Sequence, residues 1–300
     1  MERENVKKGI AIALITYIIW GLLPIYWNFL DVVRADVVFS HRILWSFVFI
    51  FLYIIFTKQF YTFVTEAKAI IKNKKVFIAI VAASLVIGLN WLVFIWAVQN
   101  GYVIQSSLGY YINPLMSVIL GVIVLKERLS RVQQLSVLLA TFGVLYLTIS
   151  YKVFPLISLI LATTFAVYGL LKKMANLNAT YSLMIETAVL TPLAFLYLFA
   201  QFGMNLGFHT EITTNILLLT TGVATAVPLL LFGVAVLHIP LSLIGIIQYL
   251  APTLMLIIGV VLYKEPFTID HFVTFVCIWV SVILFVVSGI RQEKSRPSRT

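Results

Sequence analysis

Leu108 to Leu129 reads LGYYINPLMSVILGVIVLKERL, and Ile246 to Phe267 reads IIQYLAPTLMLIIGVVLYKEPF. At a constant offset of 138 residues, Tyr111 falls on Tyr249, Pro114 on Pro252, Gly121 on Gly259, and Lys126-Glu127 on Lys264-Glu265. The same offset carries Asn90, Phe94 and Ala97 onto Pro228, Phe232 and Ala235. In each copy a Tyr and a Pro open an apolar run and a Lys-Glu pair closes it. Matched Tyr, Pro, Gly and Lys-Glu in two runs point to an internal duplication, the feature that most constrains a fold.

The surroundings of the repeat set its solvent. The chain has 300 residues, 62% hydrophobic and 11% charged, where a soluble domain averages about 25% charged. Folded in water, such a chain would expose far too much apolar surface, so lipid is its expected solvent. The net charge of +10 does not imply nucleic acid, because the basic residues lie between and beyond apolar runs rather than on a polar face. The single cysteine, Cys277, allows no intrachain disulfide and no cysteine metal cluster, and reads as a small buried hydrophobe. The first apolar run follows Arg3, Lys7 and Lys8, but it is too long for a signal-peptide core and no Ala-x-Ala cleavage site follows it. It reads as a retained span.

A spanning helix needs roughly 20 mostly apolar residues. That rule places ten spans at about 9–30, 36–57, 76–98, 103–125, 132–150, 153–171, 180–201, 214–236, 240–263 and 267–289. The halves are then 1–150 and 151–290, followed by a polar tail, 291–300, expected to be disordered. The expected fold is all-α and polytopic. With the N-terminus in the cytoplasm, all but four of the 21 Lys and Arg residues lie in inner segments; the exceptions are Arg34, Lys152, Lys264 and, within a span, Arg42. This asymmetry predicts cytoplasmic termini. Five spans per half is an odd number, so the halves enter the membrane with opposite polarity, the inverted repeat of many secondary transporters. The inner connection 58–75 sets Phe60, Phe63, Val64, Ala67, Ile70 and Ile71 at helical spacing beside three lysines. A helix on the lipid surface and a plain basic loop both fit it.

Charged residues within spans are default site candidates, since lipid penalises them unless they face a partner or a wet cavity. Arg42 lies about 9 Å from the outer end of the second span and Glu186 about 9 Å from the inner end of the seventh. The two are about 10 Å apart along the normal, too far to presume a direct pair. His41, beside Arg42, points in another direction on the helix. Asn90, Gln99, Asn113 and Gln248 are uncharged polar residues in apolar surroundings, with Trp91, Tyr110, Tyr111 and Tyr249 nearby. Amides in lipid commonly join helices, but Asn113 and Gln248 flank the paired prolines, and prolines free carbonyls that can line a cavity. The candidate substrate pathway is therefore Arg42, His41, Asn90, Trp91, Tyr111, Asn113, Glu186, Gln248 and Tyr249, with Pro114 and Pro252 as helix breaks. No catalytic or metal-ligating residue is expected: Gly-x-Ser-x-Gly, His-Glu-x-x-His and a P-loop are all missing from the sequence. Without a P-loop, uphill transport draws on an ion gradient or exchange, and no bound cofactor is expected.

Ten spans in two halves, with LKERL at Leu125–Leu129 and YKEPF at Tyr263–Phe267, resemble the drug/metabolite transporter superfamily of the EamA type. WGLLPIYW at Trp20–Trp27, SHRILWS at Ser40–Ser46, LNWLVFIWAV at Leu89–Val98 and SLGYYINPL at Ser107–Leu115 resemble its RarD-like branch. YGLLKK at Tyr168–Lys173, the segment Glu186–Pro192 and QYLAPTL at Gln248–Leu254 extend that likeness across the second half. The resemblance implies a bacterial inner-membrane permease, an exporter with a central cavity between its halves. Lys264 and Pro266 around Glu265 depart from the plainer Gly-Glu form of the superfamily. The expected function is secondary transport of small metabolites or drug-like compounds by alternating access, with the lipid bilayer and a small-molecule substrate as partners and a monomer sufficing. The alternative is a membrane-embedded enzyme on lipid-linked substrates, which would need clustered carboxylates or a Ser/His pair that this chain lacks.

Overall fold

A computed structural model describes residues 2–152, 154–264 and 266–295. Regular structure among the described residues is helical: α1 (Glu2–Asn28), α2 (Ala35–Phe56), α3 (Phe60–Lys72), α4 (Lys74–Gln99), α5 (Val103–Ile123), α6 (Arg131–Ser150), α7 (Leu156–Ala175), α8 (Ala179–Phe202), α9 (Ile212–His238), α10 (Leu241–Gln248), α11 (Leu250–Val261) and α12 (Ile269–Ser295), with a 3-10 turn at Gly203–Asn205. Ten segments are long and apolar enough to cross a membrane, with α10 and α11 sharing one crossing. They match the expected spans to within a few residues.

Local chemistry accounts for the boundaries. Ser130 and Gln133 form a reciprocal capping box at the start of α6. The Asn178 side chain accepts from the Thr180 and Tyr181 amides at the start of α8. The sixth span begins at Leu156 rather than 153, because Pro155 caps it and a residue preceding proline avoids the helical region. Segment 58–75 does form a helix, α3, which seats Ile70 against the protein and leaves Tyr61 and Ile71 exposed. At the other terminus α12 runs on to Ser295, so the first five residues of the expected disordered tail are helical. The remainder, 296–300, lies outside the described residues.

The two repeated runs end alike in the backbone. The residues that end the repeated runs, Val124 and Leu262, have φ/ψ of −88°/−49° and −88°/−48°. Two residues on, Lys126 and Lys264 both turn left-handed, with φ of 60° and 58°. Packing between the halves obeys the same exchange. The first helix of each half packs on the third and fourth spans of the other: α1 on α9 and α10–α11, and α7 on α4 and α5. Likewise α2 packs on α9 as α8 packs on α4, while α2–α8, α5–α10 and α6–α12 are self-related pairs. The halves thus interpenetrate instead of forming two separate bundles.

The two paired prolines behave differently. Pro252 has no N–H to offer the Gln248 carbonyl four residues earlier, and the helix breaks there, at Tyr249. Pro114 was expected to do the same, but α5 runs unbroken from Val103 to Ile123. Tight packing holds it: a Cβ on Gly245 of α10 would lie 2.6 Å from the Pro114 carbonyl oxygen. Of the two, Pro252 alone acts as a helix break.

Candidate transport cavity

A cavity of about 800 Å³ lies between the interpenetrating halves, lined by residues of both. Leu30, Val33, Val98 and Tyr263 carry its lining to the end of the molecule that holds connections 29–34, 100–102 and 262–268. Among the described residues none of the lining comes from the connections at the opposite end, so the cavity opens toward the first end. Trp20, Trp27, Trp91, Phe94, Tyr110 and Phe165 give it an aromatic wall.

Arg42 stands in this cavity because α2 and α9 nearly touch. A Cβ on Gly222 would lie 2.2 Å from the Trp45 carbonyl carbon, so only glycine permits the approach. Ser46 bonds the Gly222 carbonyl at 3.2 Å. One turn along, this register sets Arg42 Nε at 3.0 Å from Thr225 Oγ1. The guanidinium lies 4.7 Å from the Trp27 ring centroid and 5.2 Å from that of Trp91. Two cation–π contacts contribute roughly 0.5–2 kcal/mol each. Among the described residues Arg42 has no carboxylate partner, and it is the one side chain charged at neutral pH in the cavity lining.

Asn90, Trp91, Asn113 and Gln248, all expected on the pathway, also line the cavity, as does Pro252, expected as a helix break. Asn90 Nδ2 bonds the Leu161 carbonyl and Thr164 Oγ1, both at 2.8 Å, and so ties α4 to α7. Gln248 sits 3.5 Å from the Tyr17 hydroxyl. The Asn113 carbonyl oxygen Oδ1 is buried with no hydrogen-bond partner.

Four candidates lie elsewhere. Trp45 Nε1 donates to His41 Nδ1 at 3.1 Å, so Nε2 carries the proton and donates to the Leu206 carbonyl at 3.0 Å. His41 therefore anchors the α8–α9 connection. Tyr111 packs in a core of α5, α6, α10 and α12, edge-on to Phe275. Tyr249 belongs to the same core. Both face away from the cavity, because the helix surface that presents Tyr110 and Gln248 turns their sequence neighbours the other way. The Gln99 side chain and Glu265 lie outside the described residues.

Glu186, the fourth, is buried beyond the closed end of the cavity. Its carboxylate accepts from Lys172 Nζ at 2.6 Å, Ser182 Oγ at 2.6 Å and Tyr168 Oη at 2.8 Å. The Lys172 and Glu186 side chains are 4% and 2% exposed, so this pair is shielded from water. Trp20, Phe165, Tyr168 and Phe232 pack ring on ring between the pair and the cavity, at centroid spacings of 5.5–6.0 Å. A void of about 10 Å³, roughly one water in size, touches both Trp91 and Glu186. By sequence alone Lys172 reads only as a topology charge. Its place four residues after Tyr168 in YGLLKK, on one helix face, was the available signal.

A second clamp closes the same end. The Glu127 carboxylate accepts from the Leu241 and Ser242 amides at 2.7 and 2.9 Å, capping the N-terminus of α10. Gly121 gives it room, since a Cβ there would lie 2.7 Å from Oε2. On the other side of the α9–α10 turn, Lys173 Nζ bonds the Val236 and Ile239 carbonyls at 2.9 and 2.5 Å, capping the C-terminus of α9. A carboxylate and an ammonium from the two halves thus hold the two-residue turn.

Residues 7–149 match the EamA-like transporter family. The transporter YojE of Bacillus subtilis is 39% identical over 99% of this chain and all of its own length. Protein RarD of Escherichia coli K12 is 38% identical over 98% of this chain and 99% of its own. The chain belongs to the EamA family, as a RarD-like permease of the drug/metabolite transporter superfamily. It is thus a multi-pass membrane transporter. A crystal structure only 12% identical superposes with a TM-score of 0.73 over 93% of this chain and 97% of that one, which supports the fold alone. The family match covers the first half by profile, and the RarD-like likeness extends through the second half, where Lys172, Glu186 and Gln248 lie.

Proposed function

We propose that this RarD-like permease is a secondary transporter that moves small organic metabolites across the bacterial plasma membrane by alternating access, with both termini in the cytoplasm and export as its direction. The observation that carries this reading is the cavity of about 800 Å³ between inverted halves, open at one end and closed at the other. The charge asymmetry supports an open end outside the cell. The closed end is sealed by the aromatic layer, the Lys172–Glu186 pair and the Glu127–Lys173 clamp. In the opposite state those contacts part, and the repeat-related outer contacts close over Arg42. The chain works as a monomer, since one copy supplies both halves, and an ion gradient or exchange drives it. Export is the direction implied by the family resemblance.

The test is an untargeted metabolite comparison of cells overproducing the wild type, Arg42→Ala and Glu186→Gln, with medium and cytoplasm both measured. A compound enriched in the medium for the wild type alone supports the reading. Identical profiles for three well-inserted proteins contradict it.

A further inference from the structure

We propose that the substrates of this permease are organic anions, carboxylates carried on a flat apolar body, with the Arg42 guanidinium as the counter-charge. The inference rests on the transport reading above and specifies its substrate class. A guanidinium taken from water into a largely apolar site is costly unless something pairs with it. Other charges within the spans have their charged atoms taken up by partners: Lys172 pairs with Glu186 at 2.6 Å, Lys173 Nζ bonds the Val236 and Ile239 carbonyls, and Asp270 accepts from the Tyr146 and Ser150 hydroxyls. Arg42 is held more sparsely. Its Nε is held by Thr225, and its terminal nitrogens make no hydrogen bond among the described residues. Among the described residues the cavity lining contains no Asp, Glu or second cation.

The shape of the site narrows the class. Thr225 orients the guanidinium plane, leaving a planar fork of donors of the kind that carboxylates engage through both oxygens. Trp27 and Trp91 flank that fork, and a flat apolar body beside the carboxylate would lie against indole faces. Asn113 lines the same cavity, with its Oδ1 buried and without a donor among the described residues. A cation would meet Arg42 as a like charge, and a neutral ligand would leave the guanidinium uncompensated.

The test uses the purified full chain in nanodiscs, with quenching of tryptophan fluorescence as the readout. Three probes of one size are titrated: 3-phenylpropionate, 3-phenylpropanamide and 3-phenylpropylamine, each with and without sodium chloride at constant ionic strength. The carboxylate is expected to bind on the order of tenfold or more tighter than the amide, and the amine weakest. Arg42→Lys is expected to keep part of the carboxylate preference and Arg42→Gln to abolish it. The wild-type comparison stands even if a variant does not fold. Equal binding of carboxylate and amide, no binding of the carboxylate, or a preference that survives Arg42→Gln overturns the assignment. Displacement of the carboxylate by chloride alone overturns it in favour of an inorganic-anion site. Flux in proteoliposomes separates the two claims. Carboxylate preference without flux of any bound probe removes the transport reading, whereas flux of amide or amine without the carboxylate removes the substrate class.

Discussion

Arg42 and Glu186 occupy matching places in the second span of each half, and their surroundings are opposite. Arg42 faces an open cavity, held by one hydroxyl and two indole rings, with no carboxylate beside it. Glu186 is sealed away, with its oxygens taken up by a lysine, a serine and a tyrosine. Exchange of the halves preserves which helices pack together, and α1 and α7 cross over so that each half completes the other. The exchange does not preserve accessibility. In a transporter built from inverted repeats, that difference separates the open end from the closed one: a satisfied polar network seals, and an unsatisfied charge waits for a ligand.

The comparison breaks most severely at the sealed end. Glu186→Ala leaves the Lys172 ammonium buried and alone, at an expected cost of about 3–5 kcal/mol, read as a fall in thermal stability in detergent. Replacing both partners, Lys172→Met with Glu186→Leu, is expected to recover that stability to within about 1 kcal/mol while transport stays lost, since an apolar plug gives water no path. Recovery of transport by the double variant would make the pair purely structural. Next comes the α2–α9 crossing that builds the open site. Gly222→Val forces a side chain into the Trp45 backbone and is expected to cost about 1–3 kcal/mol, together with the register of Arg42 on Thr225. Thermal unfolding measures the first, and the carboxylate preference of the fluorescence titration measures the second.

At the open end, Arg42→Gln removes the charge but keeps a hydrogen-bonding side chain. Transport is expected to fall roughly 10- to 100-fold, the value of a charge-assisted hydrogen bond, with only a small change in unfolding temperature, because loss of the two cation–π contacts is offset by removal of a charge without a counter-charge. A large stability loss with flux retained would make Arg42 structural. The smallest effect belongs to the Glu127–Lys173 clamp. Glu127→Gln weakens the cap on α10 by about 0.3–1 kcal/mol and is expected to raise labelling of cavity cysteines from the cytoplasmic side. Unchanged labelling would remove the clamp from the gate.

How much of this was legible in the sequence depended on the range of the interaction. Span positions and the repeat could be read because they rest on local composition and on matched residues at a fixed offset. Pro252, Arg42 and Asn113 could be read as cavity elements because polar or helix-breaking residues in lipid need a reason to be there. The sequence expectation for Pro114 failed because a partner helix, packed at Gly245, holds α5 straight, and no residue near Pro114 announces that. Tyr111 and Tyr249 were misplaced because one residue of rotation, about 100° on a helix, separates cavity from core. Their neighbours Tyr110 and Gln248 face inward. The partner of Glu186 is not legible in the sequence because a lysine at the end of a span ordinarily serves topology. Lys172 lies near the membrane edge by sequence yet is 6% exposed in the fold.

The most direct test of alternating access is two-sided accessibility of the cavity. With Cys277 replaced by Ala, a single cysteine in place of Met255, which lines the cavity, is treated with a membrane-impermeant thiol reagent added to one face or the other of sealed membranes. The account predicts labelling from the outer face at rest and labelling from the inner face that rises as the outer falls when a transported carboxylate is supplied on one side only. Labelling rates on the two faces that do not change in opposite directions, or a cysteine reached from neither face, would contradict it.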